Sequence, residues 1–204
     1  MKKIFAVLSP EINFPGNENA INFAMALKKC QKNENLIKIT AICASCRAGA
    51  IPYALAAGFD DGISLDFAYS GGIYGSLALS SLLIKKCGRA ELIISPYGEA
   101  ESAALSAYLG IKPVCVSNTG EAAFFAENFE KDNEQSLIFF SGGYIPGGNG
   151  SFGMSAIRKA ASKPYYLWNE NDTGEDINAF LAENAIFFKD FIEKNSVSKN
   201  DNIS

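Results

Sequence analysis

The 204-residue sequence contains no histidine. That absence excludes Ser-His-Asp and Cys-His nucleophilic centres, imidazole general bases and histidine-ligated zinc. Positive charge is scarce: 18 Lys and Arg stand against 22 Asp and Glu, a net charge of −4. With no basic run, nucleic acid is not an expected partner. No apolar run approaches the ~18 residues of a membrane span, so no membrane association is expected. The five cysteines, Cys30, Cys43, Cys46, Cys87 and Cys115, are odd in number and scattered, unlike a secreted disulfide framework. Met1–Leu8 places two lysines before an apolar stretch, but Ser9, Pro10 and Glu11 interrupt it too early for a signal peptide. A cytoplasmic location is the expectation.

What the chain does have is alternation. Short apolar runs at Lys3–Leu8, Leu36–Cys43, Ile63–Leu65, Glu91–Ser95 and Lys112–Val116 read as strands. Helical patterns at Asn17–Lys29, Ala48–Ala57, Tyr74–Lys86 and Ala100–Leu109 separate them. Gly58 and Gly110 stand where two of these helices should stop. Strand and helix in turn imply crossover connections, hence an α/β doubly wound, mostly parallel, Rossmann-like sheet. Beyond Ser117 the rhythm changes. Ala122–Phe129 and Gln135–Phe140, separated by polar Glu130–Glu134, read as an added β-hairpin. A glycine-rich loop, Ser141–Gly153, leads to a short helix at Ala156–Ser162 and a last strand at Pro164–Trp168. The α/β domain is expected to cover residues 1–175. Asp176–Glu193 is a Phe-rich helix whose apolar face must be covered by the body or by a partner chain, a homodimer contact being one option. Asn195–Ser204 is polar and expected to be unstructured.

Ligands of such sheets bind at the carboxyl ends of the strands. Leu8–Pro10, Cys43–Arg47, Asp66–Gly72 and Pro96–Ser102 fall there. The amides of Ser95–Ser102 precede a helix and could receive a phosphate, yet Glu99 and Glu101 would repel one and equally suit a plain helix first turn. Cys43-Ala44-Ser45-Cys46 is a lone C-x-x-C. A redox role would need a lowered thiol pKa, from a helix N-terminus and Arg47; two small buried cysteines are the plainer reading. Asp60, Asp61 and Asp66 are acidic and near the expected site, without metal-ligand spacing. No nucleophile paired with a base is seen, so catalysis by the chain alone is not expected.

Several segments, in order, resemble the beta subunit of electron-transfer flavoproteins. Ala54-Leu55-Ala56-Ala57-Gly58-Phe59-Asp60-Asp61-Gly62-Ile63 is similar to that family's Ala-Leu-Ala-Met-Gly-Ala-Asp-Arg-Gly-Ile. Glu91–Ile94, Leu109–Val114 and Ala156–Pro164 resemble further family segments at fitting distances over roughly residues 1–175. The resemblance implies a subunit that pairs with a larger alpha subunit, holds AMP or FAD, and carries electrons from dehydrogenases. It places the nucleotide on Ser9, Cys43, Ala44, Ser45, Asp66, Gly98 and Ser102. The loop after the fourth strand is shorter than the family's and lacks its Asp-Gly-Asp-Thr-x-Gln-x-Gly pattern. The alternatives are a stand-alone adenine-nucleotide-binding regulatory module and a scaffold of the same fold that has lost its ligand.

Overall fold

A computed structural model describes residues 1–11, 14–31, 36–45, 49–67, 72–129, 134–141 and 154–200, with side chains described up to residue 195. Seven strands form one sheet: β1 (Lys2–Leu8), β2 (Ile37–Cys43), β3 (Asp61–Leu65), β4 (Leu92–Ile94), β5 (Lys112–Val116), β6 (Ser136–Phe140) and β7 (Tyr165–Trp168). Their order is β5-β6-β4-β1-β2-β3-β7 and every pairing is parallel. The fold is therefore α/β, Rossmann-like and doubly wound, as the alternation of runs predicts. The helices are α1 (Pro15–Cys30), α2 (Ala50–Ala57), α3 (Ile73–Cys87), α4 (Glu99–Leu109), α5 (Thr119–Asn128), α6 (Met154–Ala161), α7 (Glu170–Thr173) and α8 (Ile177–Asn200).

The expected hairpin is not there. Its first half is α5 and its second half is β6, which lies between β4 and β5 and runs parallel to both. Asn118 explains the helix: its side chain accepts from the Glu121 amide and caps the first turn. Ala122, Ala126 and Phe129 are buried, a helical spacing of four and three that a purely apolar reading of the run conceals. The terminal helix also runs past Glu193 to Asn200, so residues 195–200 are helical; residues 201–204 lie outside the described residues. So do Cys46 and residues 142–153 of the glycine-rich loop.

One rule assigns the faces. Each step toward β7 (β1 to β2, β2 to β3, β5 to β6, β6 to β7) sends its helix to one face; the steps toward β5 (β3 to β4, β4 to β5) send theirs to the other. Fixed crossover handedness requires this. Alternating strand residues divide accordingly. Ile4, Ala6, Leu8, Ile39, Ala41 and Ile94 pack beneath α1, α2 and α5, with Ala160 of α6 joining them. Phe5, Val7, Ile42, Leu65, Ile93 and Leu137 pack beneath α3 and α4. The second face receives only two crossover helices. The Phe-rich α8 covers the remainder, burying Ile177, Phe188 and Ile192 against it, while Ile186 and Phe187 stay exposed. The body thus covers most of the apolar face whose partner the sequence leaves open. Among the described residues, no helix is long and apolar enough to cross a membrane.

Candidate functional site

Strand order reverses between β1 and β4: from β1 the chain winds one way, through β2 and β3, and from β4 the other. The loops leaving these two strands diverge and open a crevice at the carboxyl end. Topology brings all seven expected residues to this end. Ser9 follows β1, Cys43 ends β2 with Ala44 and Ser45 after it, Asp66 follows β3, and Gly98 precedes α4, which carries Ser102. They form a row rather than one ligand shell. At a strand spacing of ~4.8 Å, the β3 and β4 ends stand roughly 14 Å apart.

The side chains in that row are largely committed to holding the loops. Ser9 is buried and its amide donates to Asn17 Oδ1 at 2.7 Å. Asn17 Nδ2 donates back to the carbonyls of Ser9 (3.1 Å) and Glu11 (3.2 Å), so the first turn of α1 clamps the β1–α1 loop. Cys43, Ala44 and Ser45 are buried. Ser102 shares a 2.7 Å hydrogen bond with Ser95 Oγ and contacts the Tyr97 carbonyl at 3.0 Å, closing the β4–α4 turn on itself. Its hydroxyl is therefore engaged as a turn staple. Gly98 is exposed, followed by Glu99 and Glu101 in the first turn of α4. Asp66 is exposed, and its amide donates to the Trp168 carbonyl at 2.7 Å.

Asp60 and Asp61 are placed differently from expectation. The short apolar reading began β3 at Ile63, but the strand starts at Asp61, which puts both carboxylates at its amino end, away from the crevice. Asp60 pairs with Lys28 at 2.7 Å and accepts from the Ile39 amide at 2.8 Å.

The crevice itself is tight. A Cβ on Gly16 would lie 1.8 Å from the Pro96 carbonyl oxygen, so the start of α1 rests directly on the β4–α4 loop. Phe14 stacks obliquely on Tyr97, ring centroids 5.8 Å apart. Burial pushes the Tyr97 hydroxyl above the ordinary tyrosine range, so it stays protonated. Beside this closure a cavity of about 380 Å³ opens between α1 and α2. Phe14, Asn17, Glu18, Gly49 and Tyr53 line it, with two aromatic rings and one carboxylate; among the described residues no Lys or Arg lines it. Composition hides this wall: Phe14 and Tyr53 are unremarkable in the sequence, and only the meeting of two helix starts makes them neighbours. Among the described residues no cation reaches this cavity, and Glu99 and Glu101 open α4. A larger apolar groove, about 510 Å³, lies on the flank between α2 and α6. There burial pulls the Lys163 ammonium below its ordinary value, and it donates to the carbonyls of Leu55 and Phe59.

Fold and crevice together define an α/β protein of the Rossmann-like, doubly wound class. No protein-family model and no curated protein matches the chain.

Proposed function

We propose that the chain is a subunit of the electron-transfer flavoprotein beta type, which works with an alpha-like partner and contributes the base-side wall of an AMP or FAD site. The observation that carries this reading is the cavity walled by Phe14 and Tyr53 at the β1 end of a strand-order switch. Collinear family-like segments add support, falling on the α2–β3 junction, β4, the α4–β5 junction and α6. That no described residue offers a phosphate cation suits a subunit that is half of a site, with the anionic portion met by another chain. The flavin would supply the redox chemistry and the protein its orientation and polarity. Purification from the native host tests this: an alpha-like chain and a bound adenine nucleotide or flavin are expected together. A colourless, nucleotide-free protein with no such partner overturns it.

One alternative has its own observation. Gly16 seated on Pro96 and the self-stapled Ser102 also suit a scaffold that has lost its ligand. Thermal shift separates the two. Stabilisation by AMP that disappears in Tyr53→Ala supports a living site; no shift at millimolar AMP, alone or with the alpha-like chain, favours the scaffold.

A further inference from the structure

The two edges of the sheet are guarded differently. β5 carries Lys112 and Pro113, a charge and a missing donor of the kind that keeps an edge from pairing with another chain. β7, at the other edge, reads Tyr165-Tyr166-Leu167-Trp168, with no charge and no proline. Among the described residues no strand lies beyond it. The ladder to β3 fixes which of its backbone groups are engaged. The carbonyls of Pro164 and Trp168 accept from the amides of Gly62 and Asp66, at 3.0 and 2.7 Å. Pro164, Tyr166 and Trp168 therefore turn their backbone groups toward β3, and Tyr165 and Leu167 turn theirs outward. The next outward donors on either side are already used. The Lys163 amide donates to the Ala160 carbonyl at 3.0 Å, and the Asn169 amide to Asp172 Oδ2 at 2.9 Å.

The side chains around this edge are apolar and exposed. Tyr165 lines the groove between α2 and α6 together with Ile157, and Leu167 lies on the same face of the strand. Of the ten large hydrophobic residues exposed among those described, five gather here: Met154, Ile157, Tyr165, Tyr166 and Leu167. Such a concentration marks an interaction surface. Its flanks are oppositely charged. Arg158 and Lys159 close α6 before β7, and Glu170 and Asp172 open α7 after it. None of the four forms an ion pair with another described residue. The α3 face answers its charges within the chain instead. There Lys3, Lys38 and Asp61 border a cavity of about 270 Å³ at the amino end of the sheet. Asp61 Oδ2 holds Lys38 at 2.7 Å, while Oδ1 is buried without a hydrogen bond.

We propose that β7 pairs antiparallel with β7 of a second copy, about a two-fold axis at Tyr166, joining two sheets into one. In this register Tyr165 and Leu167 of each copy exchange both backbone bonds with Leu167 and Tyr165 of the other. Every outward group of the strand is used and none already engaged is disturbed. Centring on Tyr165 or on Leu167 would call on the Lys163 or the Asn169 amide, and a shift of one residue would set outward groups against inward ones. The antiparallel direction also lays Ser162 opposite Glu170 of the second copy, so the basic end of α6 meets the acidic start of α7 twice. Parallel pairing would set like charges together. An edge that is its own complement in both backbone and charge selects a second copy over a foreign chain. The interface does not rest on the nucleotide reading.

Sedimentation velocity on the full chain tests this. A dimer is expected at about 100 µM or below. Leu167→Lys, which guards β7 as Lys112 guards β5, should raise the dissociation constant at least about tenfold while circular dichroism stays native. Leu167→Pro, which removes one outward donor and leaves the ladder to β3 whole, should do the same. Phe124→Lys, at an exposed position on α5, should change nothing. Arg158→Glu with Lys159→Glu, and separately Glu170→Lys, should each weaken the dimer, and an equimolar mixture of the two should restore it. A monomer at about 100 µM overturns the proposal, whether the edge is then bare or taken by a foreign chain. So does a dimer that both Leu167 variants leave intact, one that Phe124→Lys dissociates equally, or a mixture that restores nothing.

Discussion

The two ends of this sheet are built on opposite principles. At the carboxyl end, polar groups satisfy one another: Asn17 closes the β1 loop, Ser95 and Ser102 close the β4 loop, and backbone meets backbone at Gly16 and Pro96. At the amino end, charged groups gather in a cavity and one carboxylate oxygen is left over. The expected binding end thus has its described loop hydrogen bonds satisfied and carries acids without a described cation, and the less expected end is charged and incompletely paired. Position in a fold suggests where a ligand can go; the hydrogen-bond accounts decide what it has to be.

This contrast can be broken by substitution. The largest effect is expected at Gly16. Gly16→Val forces a side chain into the Pro96 carbonyl and should cost about 3 kcal/mol or more, read by chemical denaturation. A native-like stability would mean that the carboxyl end is loose enough to open for a nucleotide. Asn17→Ala strips three hydrogen bonds from a buried loop and should cost about 2–3 kcal/mol, with faster amide exchange at Ser9. Ser102→Ala leaves Ser95 short of one partner and should cost about 1–2 kcal/mol. If it instead abolishes AMP binding at unchanged stability, the hydroxyl is a ligand contact and not a staple. Asp61→Leu should be the mildest, within about 1 kcal/mol of neutral in either direction, because it removes an orphaned oxygen along with a half-exposed ion pair.

The same ion pair sets a pH test. The hydrogen bond that Lys38 donates to Asp61, opposed by desolvation, leaves Lys38 with a net rise above its ordinary 10.5. A lysine raised in the folded state contributes stability fully below the unfolded value and loses it as pH climbs through the raised one. The wild type should therefore lose stability relative to Asp61→Leu only above about pH 10.5, and the two should run in parallel at neutral pH.

The sheet was legible in the sequence because buried parallel strands are short, continuous and apolar, as in Lys2–Leu8 and Ile37–Cys43. Glycines at helix ends marked the stops; Gly110 adopts φ 69° there. Ala122–Phe129 misled because small and aromatic residues fill both faces of α5, and only the Asn118 cap distinguishes it from a strand. The carboxyl end, where the candidate residues gather, was legible as a place, since loops after parallel strands always share one end. It was not legible as chemistry. Whether Ser102 turns outward or inward depends on Ser95, seven residues away, and on a turn whose shape the sequence does not state. Asp61 was misplaced because polar residues can open a buried strand when a lysine waits on its neighbour.

The third cover of the α3–α4 face has a consequence for synthesis. Strands β1 to β7 can pair before Ile177 leaves the ribosome, but until α8 arrives the greasy flank of α3 and α4 stands bare. A nascent chain stalled near Trp168 would offer that flank to chaperones, and a protease that nicks the Asn169–Asp176 connection would leave α8 held on it by packing alone.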